Sequence, residues 1–291
     1  MGQYSIKELE TLSGVKAHTI RIWEQRYNLL HPERTDTNIR FYCDEDLRHL
    51  LNVSLLNKNG IKISTIADMS EEQIKEKALD IVRDNKEPNV LLESLMHAML
   101  DFDELRFEKA LNTAIMNVGF QKAFSDLLLT LLQRVGILWT TGVVKPSQEH
   151  FITNLIRRKL ATAIDNRYVE KTEKSKKYVL FLPEGEQHEI LLLFSEYLLR
   201  INNHQVAYIG TSVPFEDIEF VRSKFKPDAL LSFITVPIQF YTLQSFIDKL
   251  STSFSDLEIL IGGAQMDIVK PNLLSNVKHI KSLDDLCAHI Q

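Results

Sequence analysis

The sequence predicts a multidomain protein with three parts: an α-helical winged helix-turn-helix, a four-helix bundle, and a doubly wound α/β domain with a parallel sheet. Its 291 residues allow two or three domains. Residues 71–170 carry apolar side chains at helical spacing and no strand-like alternation. After the charged run at 171–177, short apolar strands alternate with helices, which is typical of an α/β sheet. We expect domain boundaries at 1–70, 75–170 and 177–291.

Composition narrows the class of protein. The chain is 44% hydrophobic and 25% charged, as is usual for a soluble globular protein. A net charge of −5 excludes a chain that is basic throughout, so any contact with DNA must come from a focused patch. Two distant cysteines give neither a zinc spacing nor a disulfide framework, and no signal-peptide core or membrane-length apolar run is visible. We therefore expect a cytoplasmic protein without a membrane partner.

The first seventy residues contain two short helices joined by a tight turn. Ser5 caps the first helix, the turn lies at 13–15, and the second helix follows over 16–27. Val15, Ile20 and Trp23 are expected to face inward. This arrangement fits a helix-turn-helix, although helical hairpins without DNA-binding function are common.

Basic side chains on this segment favour DNA binding. Five basic residues lie between positions 16 and 40, against three acidic ones. The exposed side of the second helix carries groups suited to phosphates and base edges: Lys16, His18, Thr19, Arg21 and Arg26. A second cluster after Pro32 is typical of a β-wing that grips the DNA backbone: Arg34, Asn38, Arg40 and Tyr42. The alternative is an ordinary solvated basic face.

The run TIRIWEQRYNLLHPER at 19–34, followed by IRFY at 39–42 and Asp46-Leu47, resembles the winged helix-turn-helix of the MerR family. The resemblance covers about residues 3–70. It implies a dimer or tetramer on a pseudo-palindromic operator in double-stranded DNA. Arg21 would lie in the major groove, and Arg34, Arg40 and Tyr42 would contact phosphates. The wing departs from the family at Asn38, where a glycine and then an aromatic residue are usual, but asparagine can adopt the left-handed turn conformation.

The middle segment predicts four helices, at 89–100, 103–118, 120–139 and 147–168, with a bundle core. Taken singly, Trp139 is a core residue and Glu149 a helix-dipole partner. Together, Trp139 and the pair Glu149-His150 after nine intervening residues resemble a signature of light-responsive MerR-type regulators that bind adenosylcobalamin, the CarH/LitR group. The resemblance implies that these side chains cover the upper face of the corrin. Thr140 stands where light-sensing members carry a histidine, so the photochemical end state is expected to differ.

The last segment predicts strands at 178–182, 205–209, 229–233 and 259–261, a weaker strand at 277–280, and helices near 189–202, 216–225, 239–250 and 282–290. Ligands of such sheets bind beyond the carboxyl ends of the strands. The candidate ligand-binding residues follow strand ends and should converge on one rim: Glu186, His188, Ser232, Gly262 and Gly263.

These residues resemble the pattern Asp-x-His-x-x-Gly, Ser-x-Leu/Thr and Gly-Gly of the cobalamin-binding domain of methionine synthase and its relatives. The resemblance implies that His188 binds cobalt as the lower axial ligand and that Glu186 hydrogen-bonds its other ring nitrogen. Ser232 belongs to the second element, and the two glycines leave room for the nucleotide tail of the cofactor. Leu191 replaces the motif glycine. A leucine pointing into the tail channel would block binding, whereas one turned into the helix core would permit it.

Three functions follow from these observations. The first is a transcriptional regulator, expected to be a repressor, whose operator affinity is set by adenosylcobalamin or a related corrinoid, with light as a second input. The corrinoid would be clamped between the bundle and the His188 domain, changing subunit assembly and hence operator affinity. The second is a MerR-type regulator with a degenerate, cobalamin-free sensor that acts through protein–protein contacts, as Leu191 and Thr140 favour. The third is a corrinoid carrier for methyl transfer, which Arg21, Arg34 and Arg40 argue against. No nucleophile–base set indicates an enzyme.

Overall fold

The computed structural model describes residues 4–34, 40–84, 88–140, 144–170, 172–238 and 242–290. It divides into two compact units, Met1–Leu155 and Ile156–Gln291. The predicted domain boundaries at 1–70, 75–170 and 177–291 remain predictions. Within the described ranges, no helix combines the length and apolar character needed to cross a membrane.

The first unit begins with a helix-turn-helix and a small wing. Its elements are α1 (Ile6–Ser13), α2 (Ala17–Tyr27), β1 (Glu33–Arg34), β2 (Arg40–Phe41), α3 (Asp44–Lys58) and α4 (Ile63–Ala67). The turn between α1 and α2 uses Gly14 at φ 69°, a conformation that favours glycine. Val15, Ile20 and Trp23 are buried as predicted. Strands β1 and β2 pair antiparallel, which confirms the wing.

The rest of the first unit is helical. Its elements are α5 (Glu71–Asp84), α6 (Pro88–Asp101), α7 (Glu104–Val118), α8 (Phe120–Ala123), a π-helical segment (Phe124–Leu128), α9 (Leu129–Thr140) and α10 (Pro146–Asp165). The division between the two units falls within α10. The four predicted helices are present, but the third is interrupted by the π-helical turn. The buried side chains of Leu127, Leu128, Leu131 and Val135 confirm the predicted apolar face.

The second unit is a parallel α/β sheet flanked by helices. Its elements are β3 (Lys177–Pro183), α11 (Ile190–Ile201), β4 (Gln205–Val213), α12 (Phe215–Phe225), β5 (Ala229–Phe233), α13 (Leu243–Ser253), β6 (Glu258–Gly262), α14 (Ala264–Val269), β7 (Val277–Ile280) and α15 (Leu283–Ile290). The strand order is β4-β3-β5-β6-β7, with every neighbouring pair parallel. The predicted fold class is therefore confirmed, including the weaker last strand.

The strand order positions the candidate site. The chain passes from β3 outward to the edge strand β4 and then back across β3 to β5. At such a reversal the connections from the two central strands diverge, which opens a crevice beyond their carboxyl ends. Central strands β3 and β5 are almost fully buried because both faces of a parallel sheet are covered. The loop with Glu186 and His188 follows β3, at this crevice.

Candidate functional site

Glu186 is a buried carboxylate at the carboxyl end of β3. Its Oε1 accepts hydrogen bonds from the backbone amides of Gln187 and His188, both at 3.0 Å. Its Oε2 accepts from the amides of Thr235 at 2.7 Å and Val236 at 3.0 Å, which follow β5. Burial alone would raise the pKa of this carboxyl, but the hydrogen bonds from the His188 ring and from these amides lower it to about 2. Glu186 is therefore a fixed anion that ties together the loops after β3 and β5.

His188 is held by this anion through one ring nitrogen. Its Nδ1 lies 2.6 Å from Glu186 Oε1, while its side chain is 59% exposed. A carboxylate partner at Nδ1 places the ring proton there and the lone pair on Nε2. A histidine oriented by a carboxylate in this way is suited to coordinate a metal through Nε2. The structure thus brings together Glu186 and His188, as the resemblance to cobalamin-binding domains implies.

Ser232 lies next to last in β5 and is 1% exposed. Its Oγ has no hydrogen-bond partner among the described residues, so it does not bond to Glu186. The second oxygen of Glu186 is instead bound by the amides of Thr235 and Val236. A buried hydroxyl without a partner is costly, and a polar group of a bound ligand would satisfy it. The sequence contained no signal for the two amides, because a backbone donor is independent of residue type.

Gly262 and Gly263 have a reason within the protein to be glycine. A Cβ on Gly262 would lie 2.7 Å from a ring carbon of Phe233, and one on Gly263 would lie 2.4 Å from the Ile234 carbonyl oxygen. Gly263 also has φ 100°. The space beside the two glycines is filled by the end of β5. Internal packing therefore requires glycine at both positions, and the role of the two glycines beside a nucleotide tail stays a prediction.

Leu191 lies in the first turn of α11 and is partly buried. Its carbonyl accepts a hydrogen bond from Ser195 Oγ at 2.7 Å, within the helix. The neighbouring Glu189 binds two other groups, with Tyr208 donating from its hydroxyl at 2.8 Å and Arg157 from Nε at 2.6 Å. The start of α11 is therefore anchored to other elements through Glu189, two residues before the position where the motif glycine would stand.

The residues predicted for the upper face of a corrin lie at the ends of α9 and α10. Trp139 and Thr140 are in the last turn of α9, and their side chains lie outside the described part of the structure. Glu149 is in the first turn of α10, with His150 next to it. His150 Nε2 lies 3.4 Å from Glu149 Oε2, and the His150 side chain is 71% exposed. The structure brings Glu149 and His150 together, while the role of the three residues stays a prediction.

The predicted DNA-binding residues form a mostly exposed set. Lys16, His18, Arg21, Arg26 and Arg34 are exposed, and Thr19 is partly exposed. Lys16 Nζ also lies 3.0 Å from Glu10 Oε1. Asn38 lies outside the described residues.

The prediction for Tyr42 needs a correction, and Arg40 has a partner within the protein. Tyr42 is fully buried, and its hydroxyl donates to Glu24 Oε2 at 3.1 Å. The prediction that Tyr42 contacts phosphate is wrong, because its ring belongs to the core and its backbone pairs with Tyr4. Arg40 Nε donates to Glu24 Oε1 at 3.1 Å. Since Glu24 lies on α2, Arg40 and Tyr42 join the wing to the second helix of the helix-turn-helix.

Comparison with protein families assigns two of the domains. The model for MerR HTH family regulatory proteins matches residues 4–73, and the model for the B12 binding domain matches residues 91–164. The second match falls in the helical part of the chain. With these domains the chain is a transcriptional regulator that combines a MerR-type helix-turn-helix with a B12-binding domain.

Particular proteins are similar to this chain. The HTH-type transcriptional repressor CarH of Myxococcus xanthus is 28% identical over 231 residues, which are 77% of this chain and 76% of the relative. The repressor CarA of the same organism is 23% identical over 265 residues, or 89% and 85% of the two chains. Among solved structures, the monomethylamine corrinoid protein of Methanosarcina barkeri matches with a TM-score of 0.54 at 14% identity. That match covers 70% of this chain and 98% of the other, and shows a shared fold. The predicted resemblance is thereby confirmed.

Proposed function

We propose that this regulator represses transcription from a DNA operator and that a corrinoid, with adenosylcobalamin as the first candidate, sets its operator affinity. The observation that carries the proposal is the pair of Glu186 and His188 at the carboxyl end of β3, with 2.6 Å between Oε1 and Nδ1. His188 would be the lower axial ligand of cobalt through Nε2. The relatives named as repressors support the proposed repression of transcription, and the match to the B12 binding domain supports a corrinoid as the ligand.

The residues present fit a corrinoid whose cobalt His188 would hold. His188 is exposed while its orienting carboxylate is buried, so the ring can reach a ligand without losing its partner. The Ser232 hydroxyl offers a buried polar group that a ligand can satisfy. When bound, the corrinoid supplies a metal centre and a large planar face. Glu186 holds the imidazole of His188 in one orientation.

Control of DNA binding requires that the ligand distinguish two states of the protein. A corrinoid changes operator affinity only by as much as its own affinity differs between these states. We propose that the states differ in subunit assembly, as dimer or tetramer, since multivalent contact with a two-fold operator depends on assembly. Trp139, Glu149 and His150 are proposed to contact the upper face of the corrin. With Thr140 in place of a histidine, we propose control by ligand occupancy in the dark, with light as a variable to be tested.

The test is reconstitution in the dark. Protein mixed with adenosylcobalamin and passed through gel filtration should keep a red chromophore, and His188→Ala should lose the spectrum of a histidine-bound corrinoid. His31→Ala, an exposed histidine of the other compact unit, serves as the matched control. Operator binding is then compared with and without the ligand, in the dark and after illumination. Wild-type protein that elutes colourless would refute the corrinoid proposal.

The second candidate function is a DNA-binding regulator that binds no corrinoid. Leu191 in place of the motif glycine favours it, and so does the internal packing that accounts for Gly262 and Gly263. The second compact unit would then act as a protein-interaction domain. Colourless protein that still binds the operator is the result expected from this alternative.

A further inference from the structure

Ser212 has an unusual backbone conformation next to the His188 loop. It lies near the end of the edge strand β4 and has φ 54°, in the left-handed region that side chains with a Cβ rarely adopt. A residue held in such a conformation points to a constraint from its surroundings, and such constraints cluster at functional sites.

Two hydrogen bonds join Ser212 to the turn that carries Glu186. The Gly185 amide donates to Ser212 Oγ at 3.1 Å, and the Ser212 amide donates to the Glu186 carbonyl at 3.1 Å. The two bonds enclose the peptide between Gly185 and Glu186. Gly185 itself has φ 87°, so this turn depends on a defined backbone geometry. The Glu186 carboxylate is bound from the opposite side by the amides of Thr235 and Val236.

An irregularity in β4 places Ser212 beside the turn at Gly185 and Glu186. The pairing of β3 with β4 shifts register between Leu180 and Phe181 and again between Phe181 and Pro183. Gly210, at φ 94°, lies within the irregular stretch. Extra residues of this kind bend a strand and redirect its side chains. As a result, Ser212 lies beside the turn that follows β3, while β4 stays paired with β3 as far as Val213 and Pro183.

We infer that Ser212 is a positioning residue for His188: by fixing the peptide between Gly185 and Glu186, it keeps the Glu186 carboxylate against His188 Nδ1. The purpose of this positioning rests on the proposed function, because a fixed lone pair on Nε2 matters for axial ligation. Its effect on the His188 ring is a property of the protein without ligand. Loss of the Ser212 hydroxyl leaves the Gly185 amide without its acceptor and allows the turn to move.

The experiment compares Ser212→Gly with Ser212→Asn in the ligand-free protein. Glycine keeps the left-handed backbone and removes the hydroxyl, whereas asparagine tolerates this backbone and restores an acceptor. Nitrogen NMR of the imidazole reports which nitrogen carries the proton, and amide exchange reports on Gly185. Ser212→Gly should lower the share of the Nδ1-protonated tautomer and speed Gly185 exchange about tenfold or more, as expected for loss of one hydrogen bond. Ser212→Asn should restore most of the Nδ1-protonated tautomer and most of the protection of the Gly185 amide from exchange.

Ser255→Gly, at an exposed turn position in the same compact unit, is the control and should change neither signal. If Ser212→Gly lowers thermal stability but leaves the tautomer and Gly185 exchange unchanged, Ser212 is only a structural residue and the inference is wrong. These readouts need no cofactor. Failure of the wild-type protein to bind adenosylcobalamin would therefore count against the proposed function and not against the positioning of His188.

Discussion

Glu186 illustrates how a single buried charge can organise a site. Removed from water, the carboxylate is stable only because amides from two loops and the His188 ring donate to it. The pairing of Glu186 with His188 was implied by the resemblance of this loop to the Asp-x-His-x-x-Gly pattern of cobalamin-binding domains. The contributions of Thr235, Val236 and Ser212 could not be predicted, because they depend on how separate strands end in space. Tyr42 was mispredicted because a tyrosine in a basic cluster gives no sign of whether its ring is buried.

Glu186→Gln should lower the stability of the protein at neutral pH. The pKa of Glu186 is about 2 in the folded protein, against an ordinary value of 4.5. Because the folded pKa is the lower one, the carboxylate stabilises the protein above about pH 4.5, and this contribution is lost as the pH falls toward 2. We expect the variant to lose about 2 kcal/mol at neutral pH and progressively less in acid. Urea unfolding across this pH range measures it, with the exposed Glu184→Gln as control; equal losses at all pH values would contradict the assignment.

His97 should make the protein less stable in mild acid. It is 2% exposed, and neither ring nitrogen has a hydrogen-bond partner among the described residues. Burial, followed by the charges of Arg106 and Arg48, lowers its pKa from 6.5 to about 3. The unfolded chain therefore binds a proton that the folded protein does not, and stability falls as the pH drops below 6.5.

The loss should be about 1 kcal/mol over the first pH unit below the ordinary imidazole pKa. His97→Leu should remove that loss and leave stability at higher pH unchanged or slightly raised, because two polar atoms without partners are replaced by apolar ones. Chemical denaturation of wild type and variant at a series of pH values measures the difference. The exposed His31→Leu should retain the wild-type pH dependence, and a His97→Leu protein that does the same would disprove the interpretation.

At the scale of elements, long periodic helices and buried strands were predictable, whereas short or irregular ones were not. The six residues of α14 are too few to show a period, and the π-helical turn Phe124–Leu128 changes register within an otherwise helical apolar pattern. Helix α6 was predicted from the sequence, but its packing against α3 was not. That packing includes two ion pairs, Lys58 with Glu93 at 2.5 Å and Arg48 with Asp101 at 2.7 Å.

The Lys58–Glu93 pair links the DNA-binding segment to the bundle. Lys58 Nζ also donates to the carbonyl of Ser13, at the turn before the second helix of the helix-turn-helix. Glu93 is mostly buried while Lys58 is about half exposed, so we expect a coupling energy of about 1 kcal/mol between them. A double-mutant cycle with Lys58→Met and Glu93→Gln measures it by urea unfolding. Additive single effects would show that the pair does not couple the two helices.

At the scale of the whole molecule, the strand order of the sheet explains why the candidate cobalt-binding residue His188 lies at the crevice. The reversal between β4 and β5 leaves the loop after β3 at the crevice, and the alternation of strands and helices was enough to predict this rim. The predicted DNA-contacting side chains belong to the first compact unit and His188 to the second. The proposed regulation is therefore a coupling free energy between two sites, and such coupling is reciprocal.

Because coupling is reciprocal, a measurement can distinguish a corrinoid that regulates operator binding from one that binds without any effect on it. If a corrinoid changes operator affinity about tenfold, saturating operator DNA should change corrinoid affinity about tenfold in the same direction.

Arg21 is exposed on α2 and is proposed to contact base edges. The variant Arg21→Ala should therefore abolish the effect of operator DNA on corrinoid binding. Its corrinoid affinity without DNA should be unchanged. Lys122→Ala, an exposed lysine in the same compact unit, should keep the coupling. The measurement is a spectroscopic titration of adenosylcobalamin in the dark with and without operator DNA at fixed salt. Corrinoid affinity that is identical with and without saturating operator DNA would exclude an equilibrium coupling between the two sites and would contradict the proposed regulation.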